Sequence, residues 1–230
     1  MIKAIIFDFD GVIIESVNIK TEAFAEIYRH DGPKVVEKVV EHHLANGGIS
    51  RFEKFRLYHR EFLGKELTND ELSEISHQFS RMVTQRVIEA PYVEGAIEFI
   101  ESNYTSFDLF ISSATPENEL REIIEKRKIS RYFKEIFGSP ETKSDHIRRI
   151  IRRYNYGSSE VVFIGDAIND KEAAELNGIC FIGRRHRGNK NAFGDCLCNH
   201  DLTDLEEAIE KVDNNSLINK YKNSQNRLII

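Results

Sequence analysis

Asp8 and Asp10 stand one residue apart in DFDGV, directly after the apolar run IKAIIF. Two carboxylates that close repel each other unless something positive sits between them. Further along, Ser112 and Ser113 follow the run FDLFI, Lys143 precedes an arginine-rich stretch, and GDAIND supplies Asp166, Asn169 and Asp170. Carboxylates, hydroxyls and one amine make a set suited to phosphoryl transfer. A carboxylate can attack phosphorus to give an aspartyl-phosphate, which splits one difficult displacement into two. A dianionic substrate repels an anionic nucleophile, so the set needs a hard cation and further positive donors. Mg²⁺ takes oxygen ligands and keeps several waters beside one or two carboxylates. Asp8 and Asp166 would provide those carboxylates, with Asp170 near enough to hold bound water. Lys143 would neutralise phosphoryl oxygens and Ser112 would donate a hydrogen bond to one of them. Asp10 would protonate the leaving oxygen and later take a proton from the attacking water.

These residues are useful only if the fold brings them to one edge. IKAIIF, FDLFI (107–111), a short run near 134–138, VVFIG (161–165) and ICFIG (179–183) read as strands. They show no polar alternation and are separated by amphipathic helical stretches, which implies a parallel sheet covered on both faces. In such sheets ligands lie at the carboxyl ends of the strands, where the candidate residues fall. Residues 16–90 differ: helices are expected near 16–30, 34–45, 50–63 and 69–89, with little strand character. The fold class expected is therefore α/β, a Rossmann-like parallel-sheet core with an inserted all-helical cap. The domains are 1–14 with 91–230 for the core and 15–90 for the cap. Helices are also expected at 94–103, 116–127, 144–154, from about 168, and near 203–212.

DFDGV (8–12), strand-terminal Ser112, Lys143 and GDAIND (165–170) together resemble the four motifs of the haloacid dehalogenase superfamily of hydrolases, in that family's order. The helical insertion falls where that family places its cap. The resemblance implies Asp8 as nucleophile and Asp10 as general acid and base, with the Asp10 backbone carbonyl also on Mg²⁺. It further implies Asp166 as the second carboxylate ligand and Asp170 as a direct or water-mediated partner of the metal. Family members that dehalogenate are expected to lack a carboxylate two residues after the nucleophile, so Asp10 favours phosphate esters or phosphomutase chemistry. Val12 stands where many members have Thr, and Glu15-Ser16 stands where they have Asp-Ser at the hinge into the cap.

Other positions are weighed against plainer roles. Ser112, immediately after the strand, should face the site, while Ser113 and Gly11 complete the phosphate-binding set. In GGISRFEKF, Arg51 and Lys54 follow two glycines and could point cations at the substrate; equally they could be solvated helix charges. Lys20 is expected to be solvated, Asn169 to cap a helix, and the stripe Phe52, Phe55, His59 and Phe62 to be cap core. His42-His43 has no third ligand at a suitable spacing. RRHRGNK (184–190) is the one basic run, read as a solvated loop or as an attractor of anionic substrate.

A net charge of −6 disfavours binding to nucleic acid. No apolar run is long enough for a membrane span, and MIKAIIFDFD lacks the pattern of a signal peptide, so a cytoplasmic location is expected. Three cysteines do not describe a disulfide framework. The function expected is a Mg²⁺-dependent phosphohydrolase acting on a small phosphorylated metabolite, a sugar phosphate or related ester. The alternatives are a sugar phosphomutase and, in another class, a non-catalytic protein that binds a phosphate ligand.

Overall fold

β1 (Ala4–Phe7) is buried at every position, as expected of a β-prone run with no polar alternation. In this computed structural model, which describes residues 1–186, 189, 193–194 and 196–214, it lies at the centre of a six-stranded parallel sheet. Its neighbours are β2 (Asp108–Pro116) and β4 (Val161–Gly165), and the full order is β3-β2-β1-β4-β5-β6. β3 spans Glu135–Ser139, β5 Cys180–Arg184 and β6 Cys198–Asn199. The chain steps outward from β1 to β2 and β3, then returns to the other side of β1 for β4. That reversal is a topological switch point, where a crevice opens beyond the strand ends. In register, Phe7 pairs with Ile164 on one side and with Ile111 on the other, so the residues that follow all three strands emerge together.

The two faces of the sheet follow from the period-2 alternation of strands. Ile5, Phe7, Leu109, Ile111, Val162 and Ile164 pack into one hydrophobic cluster. Ala4, Ile6, Phe110, Val161 and Phe163 pack into a second, with Ile147 and Ile150 of α7 (Lys143–Tyr154) and Ala173 and Ala174 of α8 (Ile168–Leu176). α5 (Ala96–Asn103) and α6 (Glu117–Lys126) cover the first face. β2 runs further than the apolar FDLFI suggested and its register with β3 shifts between Ser112 and Pro116. A break of that kind re-aims side chains at a strand end.

The helical cap consists of α1 (Val17–Ile27), α2 (Pro33–Ala45), α3 (Arg51–Tyr58) and α4 (Asn69–Glu89). α3 continues as a π-helical turn over His59–Leu63. Thr68 opens α4 with a reciprocal capping box to Glu71, and Thr142 opens α7 in the same way with Asp145. Phe24, Tyr28, Phe55, Tyr58 and Phe79 form the aromatic centre of the cap. Each such side chain contributes about 1.5–3 kcal/mol on burial. A last helix runs over 205–214, slightly beyond the range expected, and β6 is too short to leave a signal in the sequence. Among the described residues no helix is long and apolar enough to cross a membrane. The C-terminal tail beyond 214 lies outside the described residues.

Candidate active site

Asp8 is even-numbered, like Ala4 and Ile6, and so continues the face of β1 that meets α7. There Lys143, the first residue of α7, places Nζ 2.8 Å from Asp8 Oδ2 and also bonds Asp170 Oδ1. Asp166 follows β4 directly, beside Asp8. Asp8, Asp166 and Asp170 each bring one oxygen within 4.8 Å of the others. Burial pushes the Asp8 carboxyl up to about 7, against the pull of Lys143. It raises Asp166 and Asp170 as well. Three buried carboxylates facing one ammonium are short of positive charge. An all-oxygen donor set of that kind suits a hard divalent cation such as Mg²⁺. Asp170 Oδ2 already accepts the Asp166 and Ala167 amides at 3.1 and 3.0 Å, and its other oxygen takes Lys143. This engagement suits an outer partner that orients bound water.

Asp10 is held apart from that cluster. Ser16 Oγ donates to its Oδ1 at 2.6 Å, while Lys20 Nζ and Thr115 Oγ1 (2.9 Å) bond its Oδ2. Burial works to raise this carboxyl, but the Lys20 ammonium and these hydrogen bonds outweigh it and hold the group below the usual range. Lys20 also donates to Thr115 Oγ1 at 2.7 Å. Lys20 is therefore not the solvated helix residue expected: one helical turn past Ser16, it reaches back over the strand end.

Gly11 and Ser112 differ most from expectation. The Gly11 amide donates to the Ile14 carbonyl at 2.8 Å, so it is committed within the turn. Its role is spatial: φ is +75°, and a Cβ there would lie 2.1 Å from Asp166 Oδ2. Ser112 shares the face of Phe110 and points between sheet and α7, with Oγ 2.8 Å from His146 Nδ1. It does not line the cleft. Past the register shift Ser113 does, with its Oγ 3.5 Å from Asp10 Oδ2 and accepting the Thr115 amide at 3.1 Å. Asn169 does not cap a helix through its side chain, whose Oδ1 is buried without a hydrogen-bond partner among the described residues; Asp170 supplies the cap.

Between sheet and cap lies a cavity of about 60 Å³, lined by Asp8, Asp10, Ser113 and Asp166 on one side and Phe24, Lys54 and Phe79 on the other. Room for one water takes roughly 10–15 Å³, so only a small group fits. Gly47 and Gly48 bring the cap loop onto the core: a Cβ on Gly48 would meet Asn169 Cβ at 2.8 Å. Arg51 lines the cavity but is bound bidentately by Glu119 of α6 (2.5 and 3.0 Å) and reaches Ser80 at 2.8 Å. It fastens cap to core. Lys54 is 2% exposed and lies 2.9 Å from His43 Nδ1. That contact, rather than a metal, accounts for one of the paired histidines.

The basic run is turned inward where it is described. Arg184 bonds the Gly11 carbonyl at 3.0 Å and Glu15 at 2.5 and 3.2 Å, and His186 Nε2 lies 3.0 Å from Asp166 Oδ2. Arg187, Gly188 and Lys190 lie outside the described residues.

This geometry can be set beside known proteins. The sequence profile of haloacid dehalogenase-like hydrolases matches residues 5–184. The chain belongs to that family. A phosphoglycolate phosphatase from Vibrio parahaemolyticus is 26% identical over 198 residues, 79% of this chain and 83% of the relative. A phosphorylated carbohydrates phosphatase from Thermotoga maritima is 22% identical over 182 residues, 77% of this chain and 82% of the relative. Among solved structures, a β-phosphoglucomutase from Clostridium difficile superposes with a TM-score of 0.79 at 20% identity, covering 95% of this chain and all of that one. The family and fold expected from the motifs are those found, and the protein is an enzyme of the family's phosphatase and phosphomutase branch.

Proposed function

We propose that this enzyme is a Mg²⁺-dependent phosphohydrolase that releases phosphate from a small phosphorylated metabolite through an aspartyl-phosphate on Asp8. The observation that carries the reading is the division of labour between the two aspartates of DFD. Asp8 shares a charge-deficient cluster with Asp166, Asp170 and Lys143, while Asp10 is held separately by Ser16, Lys20 and Thr115. Asp8, Asp166 and, through water, Asp170 would hold the cation, which when bound supplies the Lewis-acid charge that offsets nucleophile and phosphoryl oxygens.

The chain's own groups do the rest. Lys143 pulls Asp8 towards its anionic form against burial and stands beside the phosphoryl group, and Ser113, in place of Ser112, is the hydroxyl positioned for a phosphate oxygen. Asp10 gives a proton to the leaving oxygen as the ester breaks. It then removes one from the water that attacks the aspartyl-phosphate, while Ser16 on Oδ1 and Lys20 and Thr115 on Oδ2 fix the orientation of the carboxyl group. The closed cap keeps bulk water away during the first transfer, and the small cavity supports a small leaving group over a polymer.

Phosphate release across a panel of phosphorylated metabolites, with and without Mg²⁺, tests this. Activity should require the metal and vanish in Asp8→Asn; full activity in that variant would remove Asp8 from its role. Interconversion of sugar-phosphate isomers primed by a bisphosphate, with little phosphate released, would assign a phosphomutase instead.

A further inference from the structure

Among the described residues three lysine or arginine side chains line the cavity, and two are already neutralised. Lys20 pairs with Asp10, and Arg51 pairs with Glu119. Lys54 is different. It is as deeply buried as any charged group in the cap, yet among the described residues no carboxylate lies within ion-pair distance of it. Its polar contact is His43 Nδ1 at 2.9 Å, which accepts one of three ammonium protons. Its other close neighbour is the Phe24 ring, 5.7 Å from Nζ to centroid. His43 packs on the same ring, at 4.7 Å between centroids, and lines the same cavity. Burial, followed by the charge of Lys54, holds His43 well below its ordinary value, so it stays a neutral acceptor. A buried ammonium without a counter-charge is costly. This one faces the space that the leaving group must occupy.

We infer that Lys54, steadied by His43, binds a second anionic group carried by the substrate's leaving group, a carboxylate or a phosphate. The inference rests on the phosphatase reading above and names its substrate class: short phosphate monoesters with an anion at both ends. Arg51, the other cap cation, is excluded from this role by Glu119. The counter-charge that Lys54 lacks in the free protein arrives with the substrate.

The test uses the full chain with Mg²⁺ and matched esters: phosphoglycolate against 2-hydroxyethyl phosphate for the carboxylate, and glucose 1,6-bisphosphate against glucose 1-phosphate for the phosphate. In one pair the doubly anionic ester should be preferred in kcat/KM by roughly tenfold or more, the worth of one good ion contact. Lys54→Met should collapse that ratio towards one, mainly through KM, and Lys54→Arg should restore part of it. The pair that responds identifies the anion. Equal treatment of charged and neutral esters by the wild type, or an equal loss on both in Lys54→Met, overturns the inference while leaving the phosphatase standing. Absence of Mg²⁺- and Asp8-dependent release from every ester overturns both. Folding provides a separate readout: without ligand, Lys54→Met should raise Tm by about 3 °C or more, because it removes a buried unpaired charge. A lowered Tm would show that the free protein already compensates Lys54, and would count against the inference.

Discussion

Lys143 and Lys54 are both buried, at 7% and 2% exposure, on opposite sides of the catalytic cleft, and they meet opposite electrostatic surroundings. On the sheet side, burial works to discharge Lys143, but Asp170 and Asp8 outweigh it and hold the amine protonated far above its usual range. On the cap side, burial and then Lys20 push Lys54 down to about 7. The contrast separates two kinds of site. The sheet side gathers its carboxylates around Lys143 before any substrate arrives and lacks only the cation they would hold, so its geometry is preorganised for a reaction that recurs whatever the leaving group. The cap side is left one anion short, and selectivity for the leaving group can reside there.

The largest effect expected on the sheet side comes from Asp8→Asn, which keeps the shape and removes the nucleophile. Phosphate release should fall by about 10⁴-fold or more, as for loss of other covalent nucleophiles. Lys143→Met should be next. Loss of this cation should lower kcat by about 10²–10³-fold. It also leaves Asp8 and Asp170 without their ammonium, at a cost of about 3–5 kcal/mol in denaturant unfolding. Lys54→Met should do the reverse to stability. If both variants destabilised the protein equally, the contrast between the two sides would be lost.

The pH dependence of stability sharpens the comparison further. Lys54 has a folded-state value of about 7, below the 10.5 of an ordinary lysine, so between these values the unfolded chain binds more protons than the native one. Stability therefore rises with pH through that window, by up to about 1.4 kcal/mol per pH unit from this group. Lys20 and His43 from the cap and Asp10, Asp166 and Lys143 from the sheet side face the amine and set the size of the effect. Lys143, shifted upward, stays protonated in both states across most of the same window and adds little slope. The difference in unfolding free energy between wild type and Lys54→Met, measured from neutral to alkaline pH, should show this rise. A flat difference would mean that Lys54 is not held low.

Which residues were legible in the sequence follows from how each is placed. Asp8, Asp166, Asp170 and Lys143 sit at or beside the ends of buried strands or the first turn of a helix, and parallel register brings such ends together whatever else the chain does. Their grouping could be read from local pattern. Lys20, His43 and His186 could not, because each depends on how the cap or a late loop docks on the sheet. The Gly47-Gly48 pair was the one local sign of that docking. Arg51 and Lys54 look alike in SRFEKF, three residues apart on one helix. Only Glu119, from a helix beyond the cap, tells the bound cation from the available one.

Ser112 and Ser113 show the same limit over a single residue. By alternation alone, Ser112 shares the face of Asp8 and Phe110, and that face is the one that meets α7. His146 of α7 occupies the space above it, while the register shift after Ser112 turns Ser113 to the cleft. The two alanine variants should therefore separate cleanly. Ser113→Ala should lose about 10- to 100-fold in kcat/KM, as a hydroxyl positioned for a phosphate oxygen disappears. Ser112→Ala should keep kcat/KM within about twofold and instead lose about 1–3 kcal/mol of stability, because His146 Nδ1 is left buried without its partner. An activity loss in Ser112→Ala as large as in Ser113→Ala would mean that β2 ends differently from the strand described, with the first serine in the cleft after all.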